Sequence, residues 1–206
     1  MNDNSNLVRY GVVGVVTALA IVLATLQYDR LPFLRSGIAY TANFADAGGL
    51  LPDLAHSNSW VETVGQVDPV ELLEVQLCNS VAPFILISRL RGALAASTAR
   101  RKYVVNVSAM EGQFGRGYKG PGHPHTNMAK AALNMLTRTS AGEMFETDRI
   151  LMTAVDTGWI TDERPHHEKL RIAEEGWHAP LDLVDGAARV YDPIVMGENG
   201  IDQYGV

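Results

Sequence analysis

The 206 residues suit one domain with a real hydrophobic core and are short for two. A composition of 47% hydrophobic and 19% charged residues is that of a soluble globular protein, and the net charge of -6 argues against a nucleic-acid partner, since phosphate neutralisation needs clustered Lys and Arg. Cys78 is the single cysteine, which excludes an intrachain disulfide and a cysteine-rich metal site and suits a reducing, cytoplasmic setting.

The chain opens with an apolar run, YGVVGVVTALAIVLATL, at residues 10–26, with Arg9 before it and Asp29-Arg30 after it. As a helix it would be about 26 Å long, near the lower limit for a membrane span. Two readings stand side by side: an N-terminal hydrophobic helix that contacts or crosses a membrane and anchors the protein there, or a buried helix of the core. A cleaved signal is disfavoured, because one positive residue precedes the run and no small-x-small site follows it. Residues 1–28 are therefore a hydrophobic N-terminal segment. Residues 29–57, punctuated by Pro32, Gly37, Gly48, Gly49 and Pro52, are an irregular connector, and residues 58–206 form the folded domain.

Within that domain Asp68-Pro69 marks a helix start, with a capping carboxylate, proline at the first helical position and Glu71 in the first turn. The helix is expected to run through VELLEVQLCNSVAPFILISRL and to bend near Pro83. KYVVNVSAM, from Lys102, reads as a buried strand. EGQFGRGYKGPGHPH is a long Gly/Pro loop, and loops of that length are usually functional. A helix is expected from Thr126, with Ala131, Ala132, Met135 and Leu136 as its apolar face. RILMTAV from Arg149 is a second strand, DTGWITDE a turn at Gly158, and PLDLVDGAARVYDPI a last helix stopping before Pro193. RPHHEKL reads as solvated surface; adjacent histidines point apart, and no metal site is expected. This alternation is that of an α/β protein with a parallel sheet.

Four stretches in this order resemble the second half of the short-chain dehydrogenase/reductase family, a Rossmann-like fold that uses NAD or NADP. CNSVAPF resembles Asn-x-x-Gly-x-Phe and sets Asn79 at the family's active-site asparagine. VVNVSAMEG resembles Val-Asn-Ile-Ser-Ser-x-x-Gly. TNMAKAA resembles Tyr-x-x-x-Lys-Ala-(Ala/Gly), and TAVDTGWI resembles Asn-x-Val-x-Pro-Gly-(Phe/Trp)-(Ile/Val). The resemblance implies that Lys130 holds the cofactor ribose, that Asn79 orders a water, and that Gly158 and Thr161 border the nicotinamide. It also implies that Ser108, Thr126 or His125 contacts the oxygen of a small carbonyl or alcohol substrate.

The departures are specific. Thr126 stands where the family has tyrosine. Residues four apart share a helical face, so a hydroxyl at 126 and the Lys130 amine project into one cleft, but an aliphatic hydroxyl is a poor proton donor beside a phenol of pKa near 10. Ala109 takes the place of the family serine, with Ser108 one position earlier and so on the other face of the strand. Tyr118, His123 and His125 are the candidate replacement acids, the alternative being that the Pro-flanked histidines are plain loop residues. The Thr-Gly-x-x-x-Gly-x-Gly loop of the family has no counterpart; Gly11 and Gly14 are too close together.

The expected fold is thus a Rossmann-like parallel α/β sheet, reduced at its N-terminus and preceded by the hydrophobic helix. The expected function is oxidoreduction with NAD or NADP. Two alternatives stand beside it: a catalytically silent binding protein tethered to a membrane, and an incomplete product of a longer gene. A homo-oligomer is compatible with either function, and no nucleic-acid partner is expected.

Overall fold

Asp68 starts the first helix as its chemistry requires: its carboxylate accepts the Val70 backbone N–H at 2.8 Å, Pro69 opens the first turn and Glu71 comes next but one. The computed structural model describes residues 51–115, 117 and 119–205, which belong to one unit, Phe44–Val206. The hydrophobic run 10–26, Gly11, Gly14, most of the connector and Tyr118 lie outside the described residues.

Helix α1 (Pro69–Gln76) widens into a π-type turn, Leu77–Val81, before α2 (Ala82–Ala96). The bend expected at Pro83 takes this form. Pro83 has no N–H for the carbonyl four residues back, that of Asn79, and the preceding turn opens so that the Ala82 N–H bonds Leu77 O instead. The stretch Pro69–Ala96 is 28 residues long, holds an 18-residue window of mean hydropathy 1.5, and is long and apolar enough to cross a membrane by length and composition. Val70, Leu73, Leu77, Val81 and Phe84 form an exposed apolar stripe along it. Its other side packs on the rest of the fold, and Arg91 clamps it there through Asp148 (2.6 Å) and Glu143 (2.6 and 2.8 Å).

Strand β1 (Lys102–Ser108) leads through a single 3-10 turn, Met110–Gly112, to α3 (Pro124–Asp148) and then β2 (Ile150–Asp156). The strands are parallel, in register from Lys102 opposite Ile150 to Ser108 opposite Asp156, and Gly205 bridges Thr153 on the second edge of β2. The expected parallel α/β alternation is present, and among the described residues the sheet has these two strands. Side chains alternate across it. Val104, Asn106 and Ser108 face α3, where Val104 and Met152 join Leu94, Ala141, Met144 and Ile150 in the core. Tyr103 faces the opposite way, onto Gly197 of α5 (Leu183–Glu198).

Two expectations need correction, the start of α3 and the end of α5. Helix α3 begins at Pro124 rather than Thr126, capped by His123 in the left-handed region at φ 42°. RPHHEKL enters a helix, α4 (His166–Glu174), that has no buried residue and so agrees with the solvated surface expected there. Helix α5 does not stop before Pro193 but runs through it to Glu198. It is held at its start by a reciprocal capping pair, Asp182 with Asp185, and near its end by the Gly197 contact with Tyr103. Proline removes one donor, and tertiary packing outweighs that loss here.

Candidate functional site

In open parallel sheets ligands bind beyond the carboxyl ends of the strands. Both strands end at the Ser108–Asp156 pair, so the rim is formed by the segments leaving them and by the first turns of α3. The Met110–Gly112 turn lies directly on that helix. A Cβ on Gly112 would stand 2.7 Å from the Lys130 carbonyl carbon and 2.8 Å from the Ala131 nitrogen, distances that only glycine permits.

Lys130 is half-buried and its ammonium donates to the Val107 carbonyl at 2.9 Å. Burial pushes its pKa below the usual lysine range, and the Glu163 carboxylate opposes that shift. Thr126, one helical turn earlier, is half-buried on the same face. After β2, Gly158 adopts φ +71°, and its N–H donates to the Asp156 carboxylate at 2.9 Å. The Thr161 hydroxyl lies 3.4 Å from Glu163. Lys130, Thr161 and Glu163 are thus gathered at one end of the sheet.

The other expected residues are engaged elsewhere. The Ser108 hydroxyl is buried and donates to Asn134 Oδ1 on α3, beside the Asn106–Thr137 bond of 2.9 Å. Asn79 sits in the π-type turn, its Nδ2 donating to the Val75 carbonyl at 3.1 Å. His125 is 2% exposed and turned toward α1, with Nε2 3.2 Å from Glu71 and Nδ1 without a partner. His123 caps α3, and its Nδ1 lies 2.9 Å from the Trp60 carbonyl oxygen. Among the described residues no group of three His, Cys, Asp or Glu side chains is placed to hold a metal ion.

Glu62 joins the His125–Glu71 group with one carboxylate oxygen buried and unpartnered. Burial is the first cause that pushes its pKa up from 4.5, the Glu71 carboxylate adds to it, and His125 partly offsets it. A carboxyl with a raised pKa in the folded state binds its proton more tightly than the unfolded chain does. Stability from this group is therefore present at and below the ordinary carboxylate value and is lost as pH rises through the raised one. Glu62→Gln is expected to raise the melting temperature at neutral pH and to flatten its fall between acidic and neutral pH. Melting curves for both proteins that keep the same pH slope would contradict this.

The rim also holds a cleft that the sequence did not reveal. Trp60, Glu111, His123, Trp159, Trp177 and Arg164 line it. They come from separate segments with no shared spacing; Thr161 and Asp162 complete the lining, and His123 and Thr161 are the ones the sequence singles out.

No family model matches the chain. An uncharacterized protein of Acanthamoeba polyphaga mimivirus is 30% identical over 164 residues, which cover 76% of this chain but 34% of that protein; the chain thus spans about a third of that relative's length. Among solved structures, a short-chain dehydrogenase/reductase of Burkholderia multivorans with bound NADP superimposes with a TM-score of 0.51 at 17% identity, covering 75% of this chain and 59% of that one. A 4-hydroxyisoleucine dehydrogenase solved with NADH and succinate gives 0.49 at 19% identity, over 69% of this chain and 57% of the other. The described residues have a short-chain dehydrogenase/reductase-like fold, over rather more than half of such a chain.

Proposed function

We propose that the described residues are the substrate-side part of a short-chain dehydrogenase/reductase-type oxidoreductase, acting with NAD or NADP on a carbonyl or alcohol. The observation that carries this reading is Lys130, a half-buried, desolvated ammonium at the carboxyl ends of two parallel strands, one helical turn after the Thr126 hydroxyl. The donors present match the ribose and nicotinamide end of a dinucleotide: Lys130 for the ribose hydroxyls, Gly158 and Thr161 beside the ring. They do not match its pyrophosphate. Neither the Gly/Pro loop that follows β1 nor the Gly158 turn that follows β2 has the Gly-x-x-x-Gly-x-Gly spacing of the family's phosphate loop. When bound, the nicotinamide supplies or accepts the hydride.

The chain's own residues bind and orient. Thr126 donates a hydrogen bond to the substrate oxygen and cannot approach a tyrosine as a proton donor. Asn79, in a turn already opened by Pro83, orders a water. Ser108 reaches a substrate only by giving up Asn134. Membrane anchoring through residues 10–26 and self-association belong to the same proposal.

A second reading, a silent binding protein of this fold, is favoured by two observations: Thr126 in place of tyrosine, and the Ser108 hydroxyl engaged within the core. Lys130→Met separates the two. If Lys130 holds the ribose, the variant keeps its melting temperature within a few degrees and binds NADPH about tenfold or more weakly, in line with the loss of a hydrogen bond from a charged donor. Equal NADPH affinity in both proteins would remove Lys130 from the site.

A further inference from the structure

All three tryptophans of the chain meet in one cleft at the carboxyl ends of the strands. Trp60 arrives from the segment before α1, Trp159 from the turn after β2, and Trp177 from just beyond α4. On one side the Trp60 indole stacks on the His123 imidazole, with centroids 4.6 Å apart and planes 15° from parallel. On the other, Trp159 meets Trp177 edge to face at 5.7 Å. The space between is about 60 Å³, room for a few waters or for the leading edge of an inserted ring.

The polar groups narrow what such a ring carries. A carbonyl oxygen only accepts, so His123 Nδ1 donates to Trp60, and when the ring is neutral Nε2 is an acceptor. Glu111, whose carboxylate lies 3.4 Å from the Trp159 indole N–H, is an acceptor when ionised. Arg164 is already engaged: its guanidinium lies 4.8 Å over the Trp177 ring and bonds Asp162 at 2.9 Å. An anionic ligand would meet Glu111 and Asp162 while Arg164 is paired. A cationic one would find the Trp177 face covered by Arg164. Acceptors at Glu111, Asp162 and neutral His123, with the Thr161 hydroxyl beside them and Arg164 already paired, suit an uncharged ring with a hydrogen to donate.

We infer that this cleft binds uncharged aromatic compounds bearing a hydroxyl group, the ring held by the indoles and the hydroxyl donating to Glu111. The inference names a substrate class for the proposed oxidoreductase and rests on that reading for the word substrate; the binding itself needs no cofactor.

Because every tryptophan lines the cleft, selectively excited tryptophan emission reports on this site alone. Benzyl alcohol is titrated into the full chain without NADH or NADPH, alongside cyclohexylmethanol, benzoate and benzylamine. The expected result is a saturable emission change with benzyl alcohol, and affinities about tenfold weaker for the other three, as expected when a site's acceptor or aromatic wall goes unused. Trp60→Leu should abolish the change. Glu111→Gln, which leaves the aromatic walls intact, should weaken benzyl alcohol binding about tenfold. The inference is overturned by no saturable change with benzyl alcohol, by equal affinity for any of the other three probes, or by unchanged affinity in Glu111→Gln. Failure to bind NADPH in a separate titration would count against the oxidoreductase reading and leave this one standing.

Discussion

Thr126→Tyr is expected to raise NADPH-dependent reduction of a simple aromatic aldehyde by about a hundredfold or more. A positioned general acid contributes roughly a hundred- to ten-thousand-fold, and Thr126 offers only an aliphatic hydroxyl at that position. The replacement would stand one turn before Lys130 on the same face of α3. The Lys130 ammonium would then draw the phenol below its ordinary pKa near 10, because a nearby positive charge favours the phenolate. Burial lowers the Lys130 pKa and Glu163 raises it, so the lysine is the group whose protonation decides the size of the gain. The rate is therefore expected to fall at high pH, where Lys130 loses its proton. Steady-state rates for both proteins across pH test this. A Thr126→Tyr protein that binds NADPH and reduces nothing above background would show that the rest of the site is not assembled for turnover.

Gly112→Val should carry a large stability cost. Its Cβ would fall 2.7 Å from backbone of α3 at Lys130, where no flexible side chain can move aside, so either the Met110–Gly112 turn or the helix must shift. Overpacking of this kind costs about 3 kcal/mol, which for a domain of this size is roughly a 10 °C fall in melting temperature. Gly115→Val is the control, since a Cβ there meets nothing within 4 Å, and its melting temperature is expected to stay within a degree or two. Equal melting temperatures for the two variants would mean that the turn does not rest on α3. Because the Gly112 contact is with Lys130 itself, the same variant should also lose NADPH affinity.

Local chemistry is enough to read much of this fold. Asp68, Pro69 and Glu71 specify the start of α1 by capping and charge, and the β-branched runs at Val104–Val107 and Ile150–Val155 specify strands that the structure pairs in parallel. The four-residue spacing of Thr126 and Lys130 alone puts both on one face of α3. The features that local chemistry leaves open depend on contacts between distant segments. Pro193 is a local helix breaker, yet α5 continues because its two ends are fixed, by Asp182 and Asp185 at one and by Gly197 against Tyr103 at the other. Pro83 signals an irregularity but not its form, a widened turn placed one turn earlier around Asn79. Ser108 can be weighed in the sequence only by its position relative to the family serine; that its hydroxyl is committed to Asn134 comes from how β1 lies on α3. The tryptophan cleft is the extreme case, since Trp60, Trp159 and Trp177 share no periodicity and meet only because the segments on either side of the strands fold over the same rim.

If Lys130 marks the nicotinamide side of an oxidoreductase site, calorimetric titration of the full chain with NADH and with NADPH gives saturable binding of at least one of them at micromolar to low-millimolar concentration, weakened about tenfold by Lys130→Met. No heat of binding for either dinucleotide up to millimolar concentration, from a chain whose melting curve is cooperative, would contradict that reading.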